Sequence, residues 1–124
     1  TDIMDIIEAV WEEKLDTLDI KWSDKSCACV VMASGGYPEK YETGKVISGL
    51  DENGQCEGAF VYHAGTKLED GKFLTAGGRV LGITAYGDTL KEALDTAYKA
   101  VDTISFEKAH YRHDIGKKAL SALK

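Results

Sequence analysis

The chain carries a single proline, Pro38, in 124 residues. No stretch of it approaches the ~20 uncharged apolar residues that a membrane span requires. A basic segment followed by an apolar one, the pattern of a secretory leader, is missing, so a cytoplasmic location is expected. Clustered cations are missing too. Fifteen Lys and Arg face 21 Asp and Glu, a formal net charge of −6, which argues against a nucleic-acid backbone as the main partner. Anionic small molecules stay open, because a few local cations outweigh the global sign at short range. Cysteine is sparse and odd in number (Cys27, Cys29 and Cys56), which points to a reducing compartment rather than a disulfide framework. A chain of this length buries roughly two-thirds of its extended surface and needs no such staples to fold.

Glycine is what the sequence has in excess. Twelve of its 13 glycines lie between Gly35 and Gly87, so the middle of the chain is expected to be rich in tight turns or in backbone that approaches a ligand closely. With 44% hydrophobic and 29% charged residues, the composition is that of one globular domain, or of one domain with an attached piece of another. The start at Thr1, without an initiator Met, fits a processed terminus or an excised segment.

Hydrophobic periodicity orders the elements. Ile3, Ile7, Val10, Trp11, Leu15 and Leu18 recur at steps of three and four, which predicts an amphipathic opening helix capped by Asp2. From residue 27 the pattern changes to short strands: 27–33, 45–48, 59–64, 66–69, 72–75 and 79–86. Turn signals lie at 51–54 and 69–71, the second joining a hairpin. Thr89-Leu90-Lys91-Glu92 has the spacing of a capping box. Leu90, Ala93, Leu94, Ala97, Tyr98, Val101 and Ile104 then continue one apolar stripe, predicting a long helix from Asp88 to about Ile104 that packs on the sheet. A short basic helical end follows in the tail. The order of strands followed by a helix implies an α+β fold with a mixed, largely antiparallel sheet and one long packed helix.

Cys27 and Cys29 sit in an apolar run typical of a buried strand. At period two they share a face, and they read as core thiols. A metal site there would want further ligands, for which only Cys56 and the three histidines are available. His110-x-x-His113 has helical spacing for a metal but no accompanying carboxylate or thiolate at a fixed offset, so no metal ligands are assigned.

Three segments place glycine beside polar residues at strand ends. Ser34-Gly35-Gly36-Tyr37-Pro38 follows the first strand, either as a tight turn or as outward-facing amides that cradle an anion. It is neither a Walker loop nor a dinucleotide fingerprint. His63 lies at another strand end, where a structural role is the default. Gly77 and Gly78 feed Arg79 into an apolar strand. Because Arg is rarely buried alone, Arg79 is expected to meet a carboxylate of the fold or a bound phosphate. No Ser-His-Asp or Cys-His arrangement can be assembled, and no catalytic residue is assigned.

Five motifs occur in a fixed order: Ala33-Ser-Gly-Gly-Tyr-Pro38, Tyr41-x-x-Gly44-Lys45-x-Ile47-x-Gly49-Leu50, His63-Ala-Gly-Thr66, Thr75-x-Gly-Gly-Arg-Val-Leu81 and Tyr111-Arg-x-Asp-Ile-Gly116. Together, over roughly residues 22–119, they resemble the C-terminal region of the phosphoribosylamine–glycine ligase (glycinamide ribonucleotide synthetase) family. Residues 1–20 resemble the last helix of that family's preceding ATP-grasp domain, which leaves 21–124 as the C-terminal domain. The fold implied is the hybrid-motif C-terminal domain of ATP-grasp ligases.

The resemblance implies a segment of an ATP-dependent carbon–nitrogen ligase of purine biosynthesis, which joins glycine to 5-phosphoribosylamine to give glycinamide ribonucleotide. ATP and Mg²⁺ (or Mn²⁺) would be bound mainly outside this chain, whose partners would be the missing ATP-grasp domain and an N-terminal domain that helps bind 5-phosphoribosylamine. The chain would form one wall of the active site and be inactive alone. The resemblance further implies that Ser34, Gly35, Gly36 and Tyr37, with Gly77, Gly78 and Arg79, face the cleft. Arg79, Arg112 and Lys45 would be the cations nearest substrate phosphate or carboxylate. The competing reading is a stand-alone, non-enzymatic module that binds a phosphorylated metabolite or a partner domain.

Overall fold

A computed structural model describes residues 1–122 of the chain; Leu123 and Lys124, the last two residues of the expected C-terminal domain, lie outside the described residues. The elements in chain order are α1 (Ile3–Trp11), a single 3₁₀ turn (Leu15–Thr17), β1 (Ser26–Ala33), β2 (Phe60–His63), β3 (Thr66–Glu69), β4 (Lys72–Thr75), β5 (Arg79–Gly87), α2 (Leu90–Thr103) and α3 (Lys117–Ala122). β5 lies between β1 and β2 in a three-stranded sheet, while β3 and β4 form a separate hairpin. Every ladder among the described residues is antiparallel, within the expected α+β class.

Burial explains the register. Ala28, Val30 and Met32 of β1 point to one face and pair with Ala85, Ile83 and Leu81 of β5. Val61 of β2 joins them opposite Ile83. Ala93, Leu94, Ala97, Ala100 and Val101 of α2 lie over this face, and all five are buried. Each large apolar side chain fully removed from water contributes about 1.5–3 kcal/mol, so this layer holds most of the stability. A slip of one residue in β1 would turn its whole apolar set to solvent.

The capping box forms as its spacing requires. Thr89 Oγ1 accepts from the Glu92 amide at 3.2 Å, and the Glu92 carboxylate accepts from the Thr89 amide at 3.2 Å. α3 docks through Leu120 on a smaller cluster built from Ala28, Ala93 and Leu94. The β3–β4 turn is made by Asp70 and Gly71, both at positive φ (50° and 72°), the twist that a two-residue hairpin demands.

Three expectations are corrected. The segment 45–48 is not a strand but a crossing. Val46 bridges Leu74 on one side and Ser48 bridges Ser105 on the other, with Ile47 buried between. The opening helix stops at Trp11, because Glu13 turns to positive φ (58°) and ends the 3.6-residue repeat before Leu15. Cys27 and Cys29 do share a face, but it is the exposed one, since β1 is covered by α2 on one side only. They are not core thiols.

Candidate functional site

The two glycine bends meet at the end of the sheet where β1 finishes and β5 begins. Ser34, 3% exposed, ties them together. Its amide donates to the Gly78 carbonyl at 2.8 Å and its hydroxyl donates to the Gly77 carbonyl at 2.8 Å. The buried amide and the buried hydroxyl each need their partner, because an unmet one costs ~1–3 kcal/mol. Gly78 is required by contact: a Cβ there would run into the Tyr37 ring. Gly36 is required by conformation, at φ 95°. The Tyr37 amide donates back to the Ser34 carbonyl at 3.0 Å, and the Glu39 amide to the Gly36 carbonyl at 2.9 Å. The Ser34 and Tyr37 amides are thus spent within the fold, and the Ser34–Pro38 bend is tied to the Gly77–Gly78 bend.

A cavity of about 500 Å³ opens beside the joined bends, walled by Tyr37, Tyr41 and Tyr62 and floored by Gly65, Gly78 and Arg79. The Tyr37 and Tyr41 rings lie 6.0 Å apart, tilted by 60°. Arg79 also borders a smaller, mostly apolar hollow of about 310 Å³ that it shares with Tyr37, Pro38, Tyr111 and Arg112. Arg79 is exposed, and among the described residues no carboxylate pairs with it. Of the two partners expected for Arg79, a carboxylate of the fold is not found among the described residues; residue 79 precedes the irregular register at Met32/Ala33 and borders the cavities instead of the core. A planar cation held at the lip of two hollows, with its fork unused, is suited to grip a carboxylate or phosphate.

The other two cations are occupied. Arg112 donates through Nε and Nη2 to the two Asp114 oxygens, each at 2.9 Å. That hydrogen bonding raises the Arg112 pKa and holds the Asp114 carboxyl below its ordinary range. Arg112 reaches the rim of the smaller hollow with one edge of its guanidinium taken by Asp114. Lys45 sits between Glu107 at 3.0 Å and Glu42 at 3.2 Å. Hydrogen bonds to these two carboxylates, Glu107 first, raise the Lys45 pKa, and Lys45 in turn lowers that of Glu42. Lys45 lines neither cavity.

His63 is a structural pin. Nε2 lies 2.8 Å from the Gly54 carbonyl and so donates, which leaves Nδ1 to accept from Thr66 Oγ1 at 2.8 Å. The ring rests on Phe73, with centroids 5.0 Å apart. The His113 ring lies against Tyr111, centroids 4.6 Å apart and tilted by 50°. Among the described residues no three His, Cys, Asp or Glu side chains come together as a metal site. Tyr41 and Tyr62 are the site residues that sequence reasoning passed over. Tyr41 stood inside a quoted motif, but only the fold shows that its ring faces Tyr37. Tyr62 gave a signal only through its outward position in β2, opposite Gly82.

Comparison with known proteins gives a consistent result. Residues 27–118 match the family model described as phosphoribosylglycinamide synthetase, C domain. The chain is 52% identical over 115 residues to the phosphoribosylamine–glycine ligase of Caldanaerobacter subterraneus subsp. tengcongensis, covering 93% of this chain and 27% of that protein. It is 48% identical over 120 residues to the ligase of the same name from Chlorobaculum tepidum, covering 97% of this chain and 28% of that protein. A solved structure of phosphoribosylamine–glycine ligase from Thermotoga maritima superposes with a TM-score of 0.63 at 38% identity, over 71% of this chain and 21% of that one. The chain thus spans little more than a quarter of the length of these two curated relatives.

Proposed function

Because this chain belongs to the phosphoribosylglycinamide synthetase C-domain family, we propose that it serves as the C domain of a longer, cytoplasmic ATP-dependent ligase that joins glycine to 5-phosphoribosylamine. In that role the joined bends and the tyrosine-walled cavity form one wall of the active site. The observation that carries this reading is Arg79, exposed at the lip of both hollows with no carboxylate beside it. Its fork would take an oxyanion of a substrate, phosphate or carboxylate, while Tyr37 and Tyr41 shield the contact from water and Gly77 and Gly78 let the backbone approach. Arg112, with one edge taken by Asp114, would tune the rim, and Lys45 would hold the 42–45 loop against Glu107.

ATP and Mg²⁺ belong elsewhere in this reading. The described residues offer no acidic cluster for Mg²⁺ and, at the cavity, one available cation against the several charges of a triphosphate. Residues 1–20 are assigned to the end of a preceding domain. In support, Ile3, Ile7, Val10 and Trp11 of α1 are exposed, and Thr1 ties back to Lys21 through hydrogen bonds of 2.8 and 2.6 Å and not to the sheet.

The test is to supply ATP, glycine and 5-phosphoribosylamine to the 124-residue chain alone and to the longer protein that contains it. Product is expected from the longer protein only. Glycinamide ribonucleotide formed by the chain alone above a blank would overturn the reading.

A further inference from the structure

Tyr98, on α2, lines neither hollow of the site yet holds the loop that brings one of its cations. The half-buried ring packs against both apolar clusters, the main core and the smaller one under α3. Its hydroxyl bonds twice to one loop. It donates to the Arg112 carbonyl at 2.7 Å and accepts from the Ile115 amide at 3.2 Å. Among the described residues, the backbone from Tyr111 to Ile115 has one other partner, Lys117, whose amide donates to the Asp114 carbonyl at 3.1 Å. Upstream, His110 bridges Ala33 through bonds of 2.9 and 3.0 Å, next to the joined bends. The Tyr111 hydroxyl donates to Asp102 at 3.2 Å, one turn further along α2.

Between the His110 and Tyr98 anchors stands Arg112, which borders the same apolar hollow as Arg79. Asp114 takes Nε and Nη2 along one edge, which leaves Nη1 without a partner among the described residues. A guanidinium grips an oxyanion in a fixed planar geometry, so its hold depends on where its backbone is fixed. Such a contact tolerates a displacement of only ~0.5 Å, and the groups behind it must supply that precision. One phenol oxygen bonded to residues 112 and 115 fixes the loop on both sides of Asp114.

We propose that Tyr98 is a positioning residue of the ligase site: its hydroxyl sets the Arg112–Asp114 pair so that the free edge of Arg112 meets, beside Arg79, the oxyanion of glycine or of 5-phosphoribosylamine. Tyr98 touches no substrate and acts through Arg112. The inference rests on the ligase reading.

The experiment is steady-state kinetics of Tyr98→Phe in the longer protein proposed to contain this chain, since Phe keeps the ring and removes only the hydroxyl. KM for one of glycine and 5-phosphoribosylamine should rise about 5- to 10-fold, less than the loss of a whole charge-assisted contact would give. The substrate that responds identifies the oxyanion as carboxylate or phosphate. kcat should stay within about twofold, because a contact made alike in ground and transition states acts on KM alone. KM for ATP should not move. In an Arg112→Ala background the same substitution should add nothing, as two changes acting through one group are not additive. Hydrogen exchange over residues 111–116, read by peptide mass spectrometry, should quicken in Tyr98→Phe. An active parent whose Tyr98→Phe variant has unchanged KM values, an equal KM rise with Arg112 already removed, or unaltered exchange over 111–116 would each overturn the proposal. A parent that makes no glycinamide ribonucleotide would instead overturn the ligase reading, and this inference with it.

Discussion

α1 and α2 are both amphipathic, yet they meet opposite fates. α2 buries five residues against β1 and β5; α1 buries none, and Ile3, Ile7, Val10 and Trp11 all stand more than half exposed. An apolar stripe at helical spacing announces that a helix needs a partner without saying where the partner is. For α2 the partner lies in the same chain. For α1 the chain supplies none among the described residues; the neighbouring domain proposed above would be where that partner lies.

The contrast is open to attack by mutation, in order of expected effect. Leu94→Ala, on the buried face of α2, should destabilise the chain by about 2–5 kcal/mol in denaturant unfolding. Ile7→Ala on α1 should stay within about 0.5 kcal/mol. Equal losses at the two sites would mean that α1 packs on the sheet after all. Next comes capping. Thr89→Ala should cost about 1 kcal/mol, since it frees an amide at the start of a helix that the whole fold rests on. Asp2→Ala removes the oxygen that accepts from the Met4 amide at 2.8 Å, and it should leave the global unfolding midpoint in place, because α1 frays alone.

Acid should produce the smallest effect. The carboxyls of Glu42 and Asp114 are held below their ordinary values of 4.5 and 3.8, by Lys45 and Arg112 respectively. A carboxyl with a lowered folded pKa binds its proton less readily in the native state. Its contribution is therefore complete above the ordinary value and disappears as pH falls through the lower, folded one. Both pairs are exposed, so the loss is small. Glu42→Gln should flatten the acid limb of a stability–pH curve slightly and leave neutral stability nearly unchanged; a shift confined to neutral pH would contradict this assignment.

Much of the α+β architecture is legible in the residues. β1, β2, β5, the β3–β4 hairpin and α2 follow from alternation, Asp70-Gly71 and the Thr89–Glu92 box. These signals are local, and the core agrees with them. The misreadings share a cause, which is that exposure depends on what lies across from a residue. The run from Cys27 to Ala33 looks apolar throughout, but only one face of β1 is covered, so its thiols are exposed. Val46 to Ser48 have strand-like composition yet touch two different neighbours. The site was legible as a set of motifs, because glycine pairs beside Ser34 and Arg79 mark close packing. Which cation stands unpaired was not. Asp114 and Glu42 stand two and three residues from the cations they hold, but Glu107, the other partner of Lys45, is brought from 62 residues away by folding.

Steady-state kinetics of Arg79→Ala in the longer protein proposed to contain this chain, with its melting temperature measured alongside, tests the central claim most directly. Loss of a charge-assisted contact of about 1.5–3 kcal/mol corresponds to a fall in kcat/KM of roughly 10- to 100-fold. Melting should hardly move, since Arg79 is exposed and no carboxylate pairs with it in this chain. Unchanged kinetics together with a large drop in melting temperature would contradict the account and return Arg79 to a purely structural role.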